Sequence, residues 1–379
     1  MSEIPVGQGP VHLVLRMGPK SIRPVPAAVA EALLSVQITA TAGERSGFQI
    51  AFDLTKGGQI NKRLLPERFF SPRTRVVATA VVRGTPIDLL DGIITRHEVG
   101  SSNIPGQSTL TITGEDLGII LDLEDRTAGY PNLSPAKRVR AILSQYPDYG
   151  ITPDVKDEQI PQTALRDVRV DFQTGSDLQY VTELARANGY VFYLDPGPGP
   201  GRSRAYWGPQ VRHGTPQHAL NVNMDAHSTV DQLTFAYDGT AREDPQARLL
   251  DPVTRASELL PPEDISPLRP RLGDLPTPAL RRKTLSGTAK YNREQARAEL
   301  LARSATSADV ISGSGSLDVT RHGYALSPRQ LVGVRGAGKA YDGNYYVASV
   351  THNLRPGSYQ QNFTLSREGL NARGNTVRP

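Results

Sequence analysis

The sequence predicts a mainly β protein of the α+β class: two similar β-barrel or sandwich domains with a helix-containing middle domain. Three observations carry the prediction. Short β-branched and alternating runs fill the first 125 residues, helical periodicity enters only beyond them, and the last 70 residues return to the β pattern. A chain of 379 residues with 35 glycines and 30 prolines is long enough for two or three packed domains and is punctuated by turn residues throughout.

The first β domain is expected over 1–125, with strands at Phe48–Leu54, Val76–Val82, Gly92–Val99 and Ser108–Thr113, separated by Gly, Pro and Asn clusters. The period then changes. Ser134-Pro135 offers a cap and a first-turn proline, and Val139, Ile142, Leu143 and Tyr146 follow at helical spacing as far as Pro147. Ser176 and Gln179 have capping-box spacing, Leu178, Val181, Leu184 and Ala185 form one apolar stripe, and Asn188-Gly189 predicts a left-handed stop. With a strand from Tyr190 to Leu194, these make an α/β middle domain over 126–203. The alternating Pro and Gly of Asp195–Gly201 predict a solvent-exposed loop. The second β domain takes 204–240, with Tyr206, Trp207 and Leu233–Tyr237 in strands, and 308–379. Between its two parts, 241–307 is an insertion: a Pro- and Arg-rich stretch with little periodicity, read as a long loop or a segment ordered by a partner, then a helix over Asn292–Arg303.

The two β domains share turn signals. Val82-Arg83-Gly84 is followed by Asp91-Gly92, a strand, His97 and the alternating run Thr109–Thr113; Val334-Arg335-Gly336 is followed by Asp342-Gly343, Tyr345–Val350, His352 and Asn362–Ser366. This is the pattern of a duplicated β unit.

Composition excludes several chemistries. The chain has no cysteine, so it has no disulfide framework, thiolate metal site or cysteine nucleophile. The apolar stretch Val25–Ile38 holds Glu31 and Gln37 and is shorter than the roughly 20 apolar residues of a membrane span, so no membrane insertion is expected. The net charge is +5, and Ser304–Pro379 carries eight basic against four acidic residues. Gly333 to Gly338-Lys339-Ala340 is one residue short of a phosphate-binding loop, has alanine where a hydroxyl must hold magnesium, and leads into a turn and a strand. None of the seven histidines has the paired helical spacing of a zinc hydrolase, and no nucleophile elbow appears; Gly313-Ser314-Gly315-Ser316 reads as a flexible turn. No catalytic residue, cofactor or metal is therefore assigned.

The segment Phe172–Val181, continuing through Leu184-Ala185-Arg186-Ala187-Asn188-Gly189-Tyr190-Val191-Phe192-Tyr193, resembles the baseplate hub family: the late control protein D group of contractile phage tails and the hub parts of VgrG-type injection proteins. The matching residues are Gly175, Ser176, Asp177, Leu184, Ala185, Gly189, Tyr190 and Phe192. The run Asp342-Gly343-Asn344-Tyr345-Tyr346-Val347 with Phe363–Arg367 resembles the family's closing hairpin. The resemblance implies tail-tube-like β domains and a homotrimer whose paired domains form a pseudo-sixfold ring, adapting a sixfold inner tail tube protein to a threefold spike. It further implies a separate spike protein, because the chain stops at Pro379, and neighbouring baseplate proteins as partners. The place implied is the baseplate of a phage tail or contractile injection particle assembled in the bacterial cytoplasm. Under it, Ser176 caps the middle helix, Gly175, Gly189, Gly92 and Gly343 serve turns, and Asp91 and Asp342 belong to the paired turn motifs. Arg335, Lys339 and Arg355 are expected at the lumen or an interface. Two other readings stay open: a tail-associated cell-wall hydrolase with a carboxylate pair among Glu115, Asp116 and Glu124, and a nucleic-acid-binding module using the basic C-terminal quarter.

Overall fold

Alternation of apolar and polar residues makes strands such as Gly47–Asp53 and Thr109–Asp116 one-faced, and they join one large main sheet. A computed structural model of the chain describes residues 4–5, 11–19, 21–104, 106–161, 172–250, 254, 256–288 and 291–373. In order of hydrogen-bonded neighbours the main sheet runs Ile4–Pro5, Val11–Gly18, Arg75–Val82, Thr85–Gly100, Thr109–Asp116, Gly47–Asp53, Leu33–Thr41, Gly343–Arg355, Ser358–Arg367, Ile311–Asp318 and Gln232–Tyr237. Leu331–Arg335 branches off, antiparallel to Gly343–Arg355, and Gln217–Asn221 pairs with it in parallel. The fold is mainly β, and one hydrophobic core, with Leu13, Ile38, Ile50, Val332, Tyr345 and Val350, runs beneath the whole sheet.

The seam between its two halves is the pairing of Leu33–Thr41 with Gly343–Arg355. The Thr39 and Thr351 hydroxyls meet at 3.1 Å across it, and Gln37 donates to the Asn353 side chain at 3.1 Å. One edge of Gly343–Arg355 is divided: residues 343–346 pair with 331–334, and beyond an irregularity at Ala348, residues 349–354 pair with 36–41.

The two turn motifs differ in geometry. Arg83 and Gly84 both have positive φ (50° and 81°), the signature of a two-residue hairpin turn, whereas Gly336–Asp342 is a longer loop. Gly92 does not serve a turn. It lies inside Thr85–Gly100, where a Cβ would collide with the Glu115 carbonyl oxygen. Gly313 to Ser316 likewise form strand rather than a flexible turn. A Cβ at Gly313 would lie 2.8 Å from the Phe235 ring and one at Gly315 2.7 Å from the Phe363 ring, so these glycines are the floor on which aromatic side chains rest.

The middle helices are Pro135–Leu143 and Asp177–Ala187. They pack against a three-stranded sheet of Ile151–Val155, Ser203–Gly208 and Val191–Pro196 around Val139, Ile142, Val181, Phe192 and Trp207. Ser134 occupies the cap position of the first helix without a capping bond; Glu158 reaches back instead and accepts from the Ala136 N–H. The expected boundary at 203/204 falls within Ser203–Gly208, whose ladder joins the middle sheet alone, so we place the second β domain's start after Gly208. The Pro-Gly loop is not wholly solvent-exposed: Gly197 is buried and the Gly199 N–H donates to Asp88 at 3.3 Å.

The Pro- and Arg-rich stretch is also not a long loop. Ser257–Leu260, Glu243–Leu250 and Arg281–Thr284 form a small sheet, and Gly273–Pro276 pairs with Gly369–Ala372. Four of these strands have four residues, too short to register as a period. Helix Arg293–Thr306 bridges this sheet to the middle core, through Ala296 and Leu300 on one side and Leu301 and Ala305 on the other. Its capping box is complete, with the Gln295 N–H donating to Asn292 at 2.7 Å and the Asn292 N–H to Gln295 at 3.2 Å.

Candidate functional site

The residues of the middle motif converge on one polar cluster. Ser176, buried at the N-cap of Asp177–Ala187, accepts from the Gln179 N–H at 3.2 Å and donates to Asp122 at 2.5 Å. Asp177 beside it is 1% exposed and accepts from Arg126 at 3.0 Å, Tyr146 at 2.6 Å and Gln173 at 2.6 Å. Burial and the neighbouring Asp177 carboxylate push the Tyr146 phenol well above its ordinary range, so it stays a donor. Gly175 and Gly189 both have positive φ, and Leu184 packs on the middle core. Tyr190 is buried edge-on against Trp207 at 4.8 Å and donates to the Asp157 carbonyl at 2.5 Å. The buried side chains of Ser176, Asp177 and Gln173 all bond within the protein, which is the chemistry of a rigid joint.

A second cluster locks the middle domain to both β domains. Arg329, 3% exposed and held at φ 66°, donates to the Thr41 carbonyl at 2.9 Å and to Ser46 at 3.2 Å, pairs with Asp195, and lies over Tyr193. One guanidinium thus touches the first β domain and the middle domain while its own backbone belongs to the second. Nothing in the sequence marked it: an arginine within a Ser-Pro-Arg-Gln turn reads as surface. Asp91 is likewise buried, bonded bidentately by Arg75 at 2.6 Å and by Ser203 at 3.0 Å, and so ties the first β domain to the middle sheet.

A third set anchors the insertion. Arg212 and Arg269 share the Asp309 carboxylate, Arg212 also reaches Glu368 at 3.3 Å, and Glu368 accepts from the N–H groups of Leu272 at 2.5 Å and Gly273 at 2.7 Å. The two guanidinium groups hold Asp309 down at about 2 despite its burial. Asp342 accepts from the Ala337 N–H at 2.8 Å inside its loop, and the fully buried Arg367 donates to the Asp342 carbonyl at 3.0 Å and the Ala340 carbonyl at 2.8 Å. Gly343, at φ 125°, sits beside Arg367 and Ala372.

Arg335, Lys339 and Arg355 are not brought together. Arg335 and the exposed Lys339 lie at the start of Gly343–Arg355 and the exposed Arg355 at its end, a separation of roughly 40 Å along thirteen residues of strand. Arg378, counted in the basic C-terminal quarter, lies outside the described residues. The loop after Gly333 turns through Gly338–Tyr341 straight into a strand, with no helix N-terminus.

The acid residues do not converge either. Glu115 and Asp116 are consecutive in a strand and face opposite ways. Glu115 pairs with Arg45 at 2.8 Å, while Asp116 is committed to the N–H groups of Ser46 at 2.6 Å and Gly118 at 2.8 Å, its carboxyl raised to about 6 by burial. Glu124 pairs with Arg126 at 3.2 Å. Among the described residues there is no cluster of three or more metal-ligating acids or histidines, and no helix is long and apolar enough to cross a membrane. What remains open is the sheet's end: Gln232–Tyr237 pairs on one side with Ile311–Ser316, no other described strand covers its outer edge, and its residues alternate between half-buried and exposed.

No family model and no curated protein matches the chain. Among solved structures, a tail protein from Neisseria meningitidis MC58 matches 95% of the chain and 98% of its own length at 14% identity, with a TM-score of 0.62. The 43 kDa tail protein of prophage MuSo2 from Shewanella oneidensis matches 95% and 99% at 12% identity, with a TM-score of 0.58. The E. coli c3393 protein, described as a component of the type VI secretion system with structural similarity to the T4 tail proteins gp27 and gp5, matches 92% of the chain and 77% of its own at 14% identity, with a TM-score of 0.54. At these identities the likeness establishes a shared fold across nearly the full length.

Proposed function

We propose that the chain is a structural baseplate hub of a phage tail or contractile injection particle: a homotrimer whose three pairs of β domains make a pseudo-sixfold ring between the inner tube and a separate spike protein. The observation that carries this reading is the end-to-end likeness in fold to tail proteins, joined to a sheet that passes without interruption through two β domains and, among the described residues, stops at an open edge. An uncovered edge strand is a template for another chain. In a closed ring of three copies each open edge is covered by a different surface of the next copy, and a domain repeated twice per chain offers six similar faces to a sixfold tube. The polar clusters act as joints and need no catalytic task, in keeping with a structural role and with the tail and baseplate as the chain's working place.

Light scattering on the purified chain tests the reading. A mass of three times 41.1 kDa, with a ring of six lobes in negative stain, is the expected result. A monomer that stays monomeric when mixed with its tube protein overturns it.

A further inference from the structure

On the first domain's hairpin turn, Arg83 is exposed and its guanidinium lies against Gly323 and 5.6 Å from the centre of the Tyr324 ring, in the second β domain. No carboxylate pairs with it among the described residues. Tyr324 also stacks with His218, ring centres 3.3 Å apart. His322 is 8% exposed and its Nδ1 is buried with no hydrogen-bond partner among the described residues. These groups line a cavity of about 220 Å³ at the meeting of the two β domains, and none of the residues lining it is acidic.

The wall is preformed. Gln217 accepts from the Ser327 N–H at 2.7 Å and donates to the Ser327 carbonyl at 2.9 Å, and Gln361 makes the same pair of bonds with Leu326 at 2.8 and 2.9 Å. Gly323, at φ 85°, ends the turn of helix that carries His322, and any side chain there would displace the Arg83 guanidinium.

We propose that this cavity is an oxyanion site: Arg83, His218 and His322 together receive one carboxylate or phosphate group. A lone guanidinium beside two imidazoles, with no acid among the described lining residues, concentrates positive potential at the cavity, and the buried His322 offers a place where a charge-assisted bond is strong. Burial, His218 and Arg83 all hold the His322 imidazole neutral at present, down to about 4. An anion between them would offset the pull of His218 and Arg83 with an opposing charge and supply a partner for Nδ1.

The test is calorimetric titration of the full chain at pH 6.5 and low salt with inorganic phosphate and, separately, with acetate, alongside histidine ring NMR. Saturable binding of one anion per chain with a low-millimolar dissociation constant is expected, weakened tenfold or more in Arg83→Gln. On the unaltered chain, saturation should move the His218 and His322 ring signals and raise the His322 titration midpoint, while the other five histidines stay put. Binding of phosphate alone assigns the site to a phosphate group, and comparable binding of acetate assigns it to carboxylates. Absence of saturable binding, binding undiminished in a folded Arg83→Gln, or His322 signals that do not respond would each overturn the proposal.

Discussion

The guanidinium of Arg329 lies 4.1 Å from the centre of the Tyr193 ring, so a cation from the second β domain rests on an aromatic face of the middle domain. Its other contacts reach the Thr41 carbonyl and Ser46 of the first β domain, and Asp195 completes the set. Removing one partner of a buried pair strands the other charge, at a cost of about 3–5 kcal/mol. Asp195 keeps a second cation, Arg204 at 3.0 Å, and some contact with water, which argues for the lower end. Arg329→Met is therefore expected to cost about 3 kcal/mol in urea unfolding and to increase proteolysis at the interdomain loops. A loss under 1 kcal/mol would show that the joint is held elsewhere.

Gly313 carries a packing prediction. Alanine there puts a methyl 2.8 Å from the Phe235 ring, and overpacking of this kind costs about 1–3 kcal/mol. The double variant Gly313→Ala with Phe235→Leu should recover part of that loss in thermal denaturation, because the smaller side chain vacates the space. Additive losses would mean that the glycine is needed for its backbone instead.

This position also marks how much of the fold was legible. Strands flanked by turn residues, such as Arg75–Val82 and Thr109–Asp116, announce themselves by local pattern. Gly313–Ser316 do not, because their strand character comes from Phe235 and Phe363, far away in the chain. The same holds for the insertion, where Gly273–Pro276 pairs with residues some 95 positions further on. Of the candidate site, the Ser176 motif was readable as a helix start, but Arg329 and the Arg83 cavity were not. Their meaning lies in neighbours that only tertiary structure supplies.

Ser176→Ala removes both the cap on Gln179 and the bond to Asp122. Loss of an N-cap costs about 0.5–2 kcal/mol, so a loss near 1.5 kcal/mol is expected, with faster amide exchange confined to residues 177–180. Uniform exchange throughout the chain would contradict a local capping role.

Buried histidine sets an acid limit on stability. His352 lies 2.8 Å from the Tyr359 hydroxyl and 3.0 Å from Gln361 Nε2, and burial lowers its imidazole to about 4. The unfolded chain, near 6.5, binds this proton more readily, so stability is complete above 6.5 and is lost as pH falls through 6.5 toward 4. The loss amounts to about 3 kcal/mol. Asp116, raised to about 6, works oppositely and offsets part of the slope below that pH. Urea midpoints should fall between pH 7 and 4.5, less steeply in His352→Gln, and the His352 ring should stay neutral by NMR at pH 5. A protonated ring at that pH would refute the assignment.

The seam formed by Leu33–Thr41 and Gly343–Arg355 also sets a schedule for the nascent chain. Thr39 leaves the ribosome 312 residues ahead of Thr351, its partner across the seam. At roughly 5–20 residues per second, the first strand's edge waits about 15–60 s unpaired while the remaining chain is synthesised. The first β domain must therefore survive that interval with one side open, and the emergence of Gly343–Arg355 is what closes the seam.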